Sequence, residues 1–153
     1  MPVIVVGADT PLGGAIVAAL AERGGEIRAF VGDGDSAKTL RAMGAKVAVG
    51  DMSDGSHLTA ASYQAFTAVC VEAALHDGRP FAFAADADGV VDTWKTAIRD
   101  AGVRRAIWVG TRSPAPLLGC APEVAAVQTQ GRPKPDIARE VADLNDRAGL
   151  AEP

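Results

Sequence analysis

One tyrosine, two histidines and two cysteines are all that the 153 residues hold of these three chemically versatile side chains. His57 and His76 lie far apart, with no metal-ligand spacing to cysteine or carboxylate, which argues against a metal centre. Cys70 lies in an apolar strand pattern and Cys120 in a Pro/Gly-rich stretch, so no disulfide framework is expected. No run approaches the roughly 18 consecutive apolar residues of a membrane helix. The chain enters a core strand at Val3, which leaves no room for a signal peptide and points to the cytoplasm. Clustered basic residues are also missing. The net charge is -4, the pI is near 5.1, and the one basic doublet, Arg104-Arg105, reads as a solvated turn between a helix and a strand. A nucleic-acid surface needs more than that.

What is present is an ordinary globular composition, 48% hydrophobic and 22% charged, at a length that fits one domain over residues 1–153. The informative stretch is the first thirty residues. Val3-Ile4-Val5-Val6 runs into Gly7-Ala8-Asp9-Thr10-Pro11-Leu12-Gly13-Gly14 and then into helical spacing at Leu12, Ile16, Ala19 and Leu20. Thr10 is placed to cap that helix, and Pro11 suits its first turn because its fixed φ is helical and its missing N–H would have had no partner. A strand that breaks at glycine and turns into a helix leaves backbone N–H groups and the positive end of the helix dipole facing the turn, where a pyrophosphate fits. The glycine pattern alone is weak, since Gly7 and Gly13 also suit a tight turn with no ligand. The strand-turn-helix context strengthens it.

Alternation continues along the chain. Ile27 to Val31, Lys46 to Val49, Ala68 to Val71 and Ala106 to Val109 read as further strands, and a wide apolar stripe from Val90 to Ala101 reads as a helix ended by Gly102. Residues 72–88 are ambiguous: Phe81-Ala82-Phe83 alternates like a strand, but His76-Asp77-Gly78-Arg79-Pro80 breaks any regular element. Residues 113–135 read as a long loop with a short helix near Glu123 to Val127, followed by a last helix capped by Asp136, with Ile137, Val141, Leu144 and Ala148 inward. Five strands alternating with helices predict an α/β fold, a doubly wound, Rossmann-like parallel sheet with helices on both faces.

Three blocks carry a family resemblance: Gly7 to Gly13, Gly44-Ala45-Lys46-Val47-Ala48-Val49-Gly50-Asp51-Met52, and Ala101-Gly102-Val103-Arg104-Arg105-Ala106-Ile107-Trp108-Val109-Gly110. Together they resemble the NmrA-like atypical short-chain dehydrogenase/reductases over roughly residues 3–112. The resemblance implies NAD(P) binding. It places the pyrophosphate at Gly7, Asp9, Thr10, Pro11, Leu12 and Gly13, the adenine between Asp51 and Met52, and the nicotinamide ribose near Val71, Glu72 and Ala73. Three departures qualify it. Where the family has a glycine, this chain has Thr10, whose β-carbon is expected to crowd the pyrophosphate. Where an arginine often selects the 2′-phosphate of NADP, it has Gly32-Asp33-Gly34-Asp35, which favours NAD, although Lys38 is within sequence reach of a phosphate. The Tyr-Lys pair of short-chain dehydrogenases has no counterpart: Tyr63 is the only tyrosine, and Pro135 and Arg139 fall in the pair's register. Thr111 and Ser113 remain as candidate catalytic hydroxyls.

The family continues into a sixth strand and a substrate-binding segment where this sequence stops, so a missing substrate half and an uncovered sheet edge are expected. The sequence therefore reads as a nucleotide-binding or redox-sensing module that binds NAD, with NADP possible, and forms a homodimer through the last helix and the loop before it. The alternatives are a small NAD(P)H-dependent oxidoreductase with a pocket completed by a second subunit, and a degenerate interaction domain that binds no nucleotide.

Overall fold

A computed structural model describes residues 1–112 and 116–150. The elements run β1 (Val3–Val6), α1 (Pro11–Arg23), β2 (Ile27–Val31), α2 (Gly34–Ala42), β3 (Lys46–Val49), α3 (Gly55–Ala61), β4 (Thr67–Val71), a 3-10 turn (Glu72–Leu75), α4 (Ala87–Asp100), β5 (Arg105–Gly110), β6 (Glu123–Gln128) and α5 (Lys134–Asp146). All strand pairs are parallel, in the order β3-β2-β1-β4-β5-β6. The order reverses direction between β1 and β4, the switch point above which doubly wound sheets bind ligands.

The apolar strands bury both faces, as parallel strands under helices on each side must. Val3 and Val5 of β1 join one core with Ile16, Val17 and Leu20 of α1, Leu40 of α2, and Ile137 and Val141 of α5. Ile4 and Val6 join the other with Leu58 of α3 and Val90, Trp94 and Ile98 of α4. Each of the first four helices has a side-chain cap: Thr10 accepts from the Gly13 N–H, Asp33 from Ser36, Asp54 from His57 and Asp86 from Gly89. His57 packs edge-on against Phe30, 5.2 Å between ring centroids.

Several expectations are corrected. Residues 123–128 form strand β6 instead of a short helix, extending the parallel sheet to six strands. The apolar content of this segment fits either period, and its register is fixed by a residue from another strand: Arg105 pairs with Glu123, its neighbour across the ladder, at 2.8 Å. Arg105 is thus no solvated turn residue. Its side chain is 0% exposed, donates to the carbonyls of Leu144, Asn145 and Arg147 at the end of α5, and lies 5.2 Å from the Phe66 ring centroid. Phe81 to Phe83 is not a strand. Helix α5 begins at Lys134, with Asp136 in its first turn instead of at the cap. Its inner face, Ile137, Ala138, Val141 and Ala142, is buried, and Arg23 of α1 pairs with Asp143 and Asp146 on its flank. Strand β6 fills the sixth position that was expected to be open, and the helix stripe that pointed to a homodimer packs within the chain at Ile137 and Val141, with Leu144 half-buried and Ala148 exposed beyond the end of α5.

Candidate functional site

The turn after β1 is built by two glycines and a threonine. Gly7 has φ +85°, and a β-carbon there would sit 2.8 Å from Ala74 Cβ. A β-carbon on Gly13 would lie 2.2 Å from the Gly7 carbonyl oxygen, so strand and helix touch backbone to backbone. Thr10, 4% exposed, donates its hydroxyl to the Gly7 carbonyl at 2.8 Å and accepts from the Gly13 N–H at 2.9 Å. The Thr10 side chain therefore bends back into the turn as the α1 cap and takes up the Gly13 N–H at the helix end. Among the described residues, the N–H groups of Ala8, Asp9 and Leu12 have no hydrogen-bond acceptor. They are the donors that an anion at this helix end would meet.

Beside the turn lies a crevice of about 650 Å³ over the carboxyl ends of β1, β2 and β3, lined by Asp9, Gly32, Asp33, Asp51, Met52 and residues 77–80. Asp9 accepts from the Gly32 N–H at 2.8 Å, which joins the β1 turn to the end of β2. The same carboxylate is gripped by Arg79, whose Nη1 and Nη2 donate to its two oxygens at 3.1 Å each. Asp77 takes the other edge of that guanidinium, from Nε at 2.9 Å and Nη2 at 2.6 Å. The guanidinium is accordingly held above arginine's ordinary value, first by the Asp77 hydrogen bond and then by Asp9, against the opposing effect of burial. Asp77 is lowered by the same contact.

Asp51 and Ser53 fasten the segment after the 3-10 turn to the end of β3. Asp51 accepts from the Ala82 N–H at 3.0 Å and from both the N–H and hydroxyl of Ser53, whose Oγ accepts from the Phe83 N–H at 2.9 Å. Burial pushes the Asp51 carboxyl up, but these donors outweigh it and the net shift is downward. Met52 is buried, and its carbonyl accepts from the Trp94 indole at 2.9 Å. Lys38 is exposed on α2 and does not line the crevice, and Asp33 serves as the α2 cap at its rim. A larger groove, about 930 Å³, runs between α3 and α4 away from the glycine turn.

On the other side of β1, at the end of β4 and outside the crevice lining, Val71 is buried, Ala73 is exposed, and Glu72 bridges β4 to the segment after β5. The Glu72 carboxylate accepts from the Thr111 N–H at 2.9 Å, the Trp108 indole at 3.2 Å, the Arg112 N–H at 3.3 Å and the Thr111 hydroxyl at 3.3 Å. Its Oε1 lies 3.8 Å from His76 Nε2. Gly110 makes this possible, since a β-carbon there would fall 2.0 Å from Glu72 Oε2. Thr111, one candidate hydroxyl, is therefore brought beside a carboxylate, while Ser113 lies outside the described residues. Tyr63 is 65% exposed, and its carbonyl accepts from Arg28 near the amino end of β2, away from the crevice. Arg139 is exposed on α5. Among the described residues no cluster of side chains is arranged to hold a metal.

Sequence reasoning missed Arg79 and Asp77, read only as a breaker. Asp9 and Arg79 stand 70 positions apart, and no local spacing announces their pairing.

The strand order, the glycine turn and the crevice beside the β1–β4 switch define a Rossmann-type domain of the dinucleotide-binding class. The sequence pattern of the NmrA-like family matches residues 2–113, and the chain belongs to that family. Among curated proteins none matches the sequence significantly. The fold is similar to triphenylmethane reductase of Citrobacter sp. (TM-score 0.78, 16% identity, covering 97% of this chain and 66% of that one). It is similar also to the anaerobillin reductase ChuY of Escherichia coli O157:H7 (0.70, 18%, 97% and 92%). A third relative is an NADPH-dependent quinone oxidoreductase of Escherichia coli, solved with NADPH (0.59, 18%, 94% and 45%). The chain spans 66% and 45% of the length of the first and third of these.

Proposed function

We propose that this chain binds a nicotinamide dinucleotide across the β1–β4 switch, prefers NAD(H) to NADP(H), and acts as a nucleotide-binding or redox-sensing module without a complete catalytic site. One observation carries the reading: among the described residues the Gly7–Gly13 turn leaves the N–H groups of Ala8, Asp9 and Leu12 without acceptors, and Asp9 of that turn lines a crevice that holds four carboxylates. The N–H groups suit a pyrophosphate, and the carboxylates of Asp9, Asp33, Asp51 and Asp77 against the one guanidinium of Arg79 disfavour a further phosphate on the ribose. The NADPH in a neighbour's complex supports the ligand class. Calorimetric titration with NAD, NADH, NADP and NADPH tests the reading. Heat from at least one, lost in Gly7→Val, supports it; no heat from any of the four with the fold intact rejects it.

The runner-up, an NAD(P)H-dependent oxidoreductase, is favoured by the pairing of Thr111 with Glu72 and by the anaerobillin reductase, which matches this chain over 92% of its own length. Turnover of NADH with quinones or aldehydes, lost in Thr111→Ala, selects it over the sensing module. In either reading the protein works in the cytoplasm, which accords with two buried free thiols. The homodimer expected near the last helix and the loop before it remains a proposal, and a mass of 15.6 kDa in light scattering at micromolar concentration would reject it.

A further inference from the structure

Among the described residues the crevice holds one guanidinium, and its position is unusual. A β-carbon on Gly32 would fall 3.2 Å from Arg79 Nη1 and 3.4 Å from Asp9 Oδ2. Arg79 comes from the segment after β4, yet its fork lies against the end of β2, where the adenosine ribose 2′ position is read in doubly wound sheets. The room for that fork exists because residue 32 has no side chain.

The fork's two edges are assigned separately. The end formed by Nη1 and Nη2 is fixed by Asp9, whose side chain is 3% exposed and which is itself held by the Gly32 N–H. The side formed by Nε and Nη2 is taken by Asp77, 37% exposed at the rim. That side presents two parallel N–H donors, the arrangement that binds phosphate bidentately. With both edges filled, two carboxylates outweigh one guanidinium, and a 2′-phosphate meets a negative site.

We propose that Asp77 sets the choice between the two dinucleotides by occupying the phosphate-binding edge of Arg79, so that the native site takes a free 2′-hydroxyl and loss of Asp77 opens it to a 2′-phosphate. Asp9 keeps the guanidinium in place when Asp77 is gone, so the freed donors stay aimed at the β2 end. The lowered Asp77 carboxyl agrees with a contact that persists at neutral pH. This rests on the dinucleotide reading above.

The test is calorimetric titration of NAD and NADP into the native chain, Asp77→Asn, Asp77→Ser and Asp77→Asn/Arg79→Gln, with circular dichroism confirming the fold of each. The native chain should prefer NAD. Either single variant should bind NADP about tenfold more tightly, with NAD changed less than about threefold, the size expected of one additional charge-assisted hydrogen bond to the phosphate. The double variant should lose that increase. An unchanged NAD/NADP ratio in the single variants, an increase that survives in the double variant, or a native preference for NADP overturns the proposal while dinucleotide binding stands. Binding of neither nucleotide to the native chain overturns both.

Discussion

Gly7 and Gly13 control the turn in different ways. Gly7 needs its positive φ and also its bare Cα, because Ala74 stands 2.8 Å from any β-carbon; Gly13 needs only the bare Cα, to let helix α1 approach the Gly7 carbonyl. Gly13→Ala should therefore push strand and helix apart and lower both the melting temperature and dinucleotide affinity. Thr10 acts oppositely, through its side chain. Thr10→Ala removes the α1 cap and should cost about 1 kcal/mol of stability, read from denaturant melts. Arg105 is the residue whose role departs furthest from its surroundings in sequence. Arg105→Met leaves Glu123 and the α5 end carbonyls without their donor and should cost about 3 kcal/mol. Arg105→Met/Glu123→Leu should recover part of that loss but not all, since the carbonyls of Leu144, Asn145 and Arg147 stay unpaired.

At the scale of elements, Glu72 ties the end of β4 to the segment after β5, and Gly110 sets the clearance. Gly110→Ala places a methyl 2.0 Å from the Glu72 Oε2 position and should release that carboxylate; faster amide exchange at Thr111 and Arg112, without global unfolding, is the expected signature. Elements that announce themselves locally were legible in the sequence: β1 and α1 through an apolar run, a glycine and a cap, and α4 through a stripe ended by Gly102. What was not legible depends on partners remote in sequence. Strand β6 shows little burial of its own, with Val127 as its one fully buried side chain, and it needs Arg105 across the ladder to set its register. The crevice divides in the same way. The turn residues Gly7, Thr10 and Gly13 could be read directly, whereas the Arg79 clamp joins Asp77 to Asp9 across 70 positions and has no period to betray it.

Over the whole molecule, several carboxylates are held below their ordinary values, among them Glu123 by the hydrogen bond from Arg105 and Asp77 by Arg79. Because their folded-state values are depressed, the stability they contribute is present above the unfolded values of 4.5 for Glu and 3.8 for Asp, and is lost as pH falls through the lower folded values. Thermal melts should accordingly be flat near neutrality and fall progressively below about pH 5. The two thiols behave in the opposite sense. Burial pushes Cys70 well above its ordinary value and Cys120 upward as well, so neither should react with a thiol reagent in the native state at neutral pH, while both should react in denaturant.

The two indoles report on the ends of two different strands, β3 through Met52 and β4 through Glu72. Trp94 and Trp108 are fully buried with ring centroids 6.2 Å apart, yet one is tethered to Met52, which lines the crevice, and the other to Glu72 at the end of β4. A neighbouring pair of chromophores with separate anchors can distinguish half a ligand from a whole one. On the proposed dinucleotide reading, AMP alone should quench the emission that Trp94→Phe abolishes. A complete dinucleotide should also alter the component lost in Trp108→Phe, so that a fluorescence titration of both variants would follow each half of the ligand without any label.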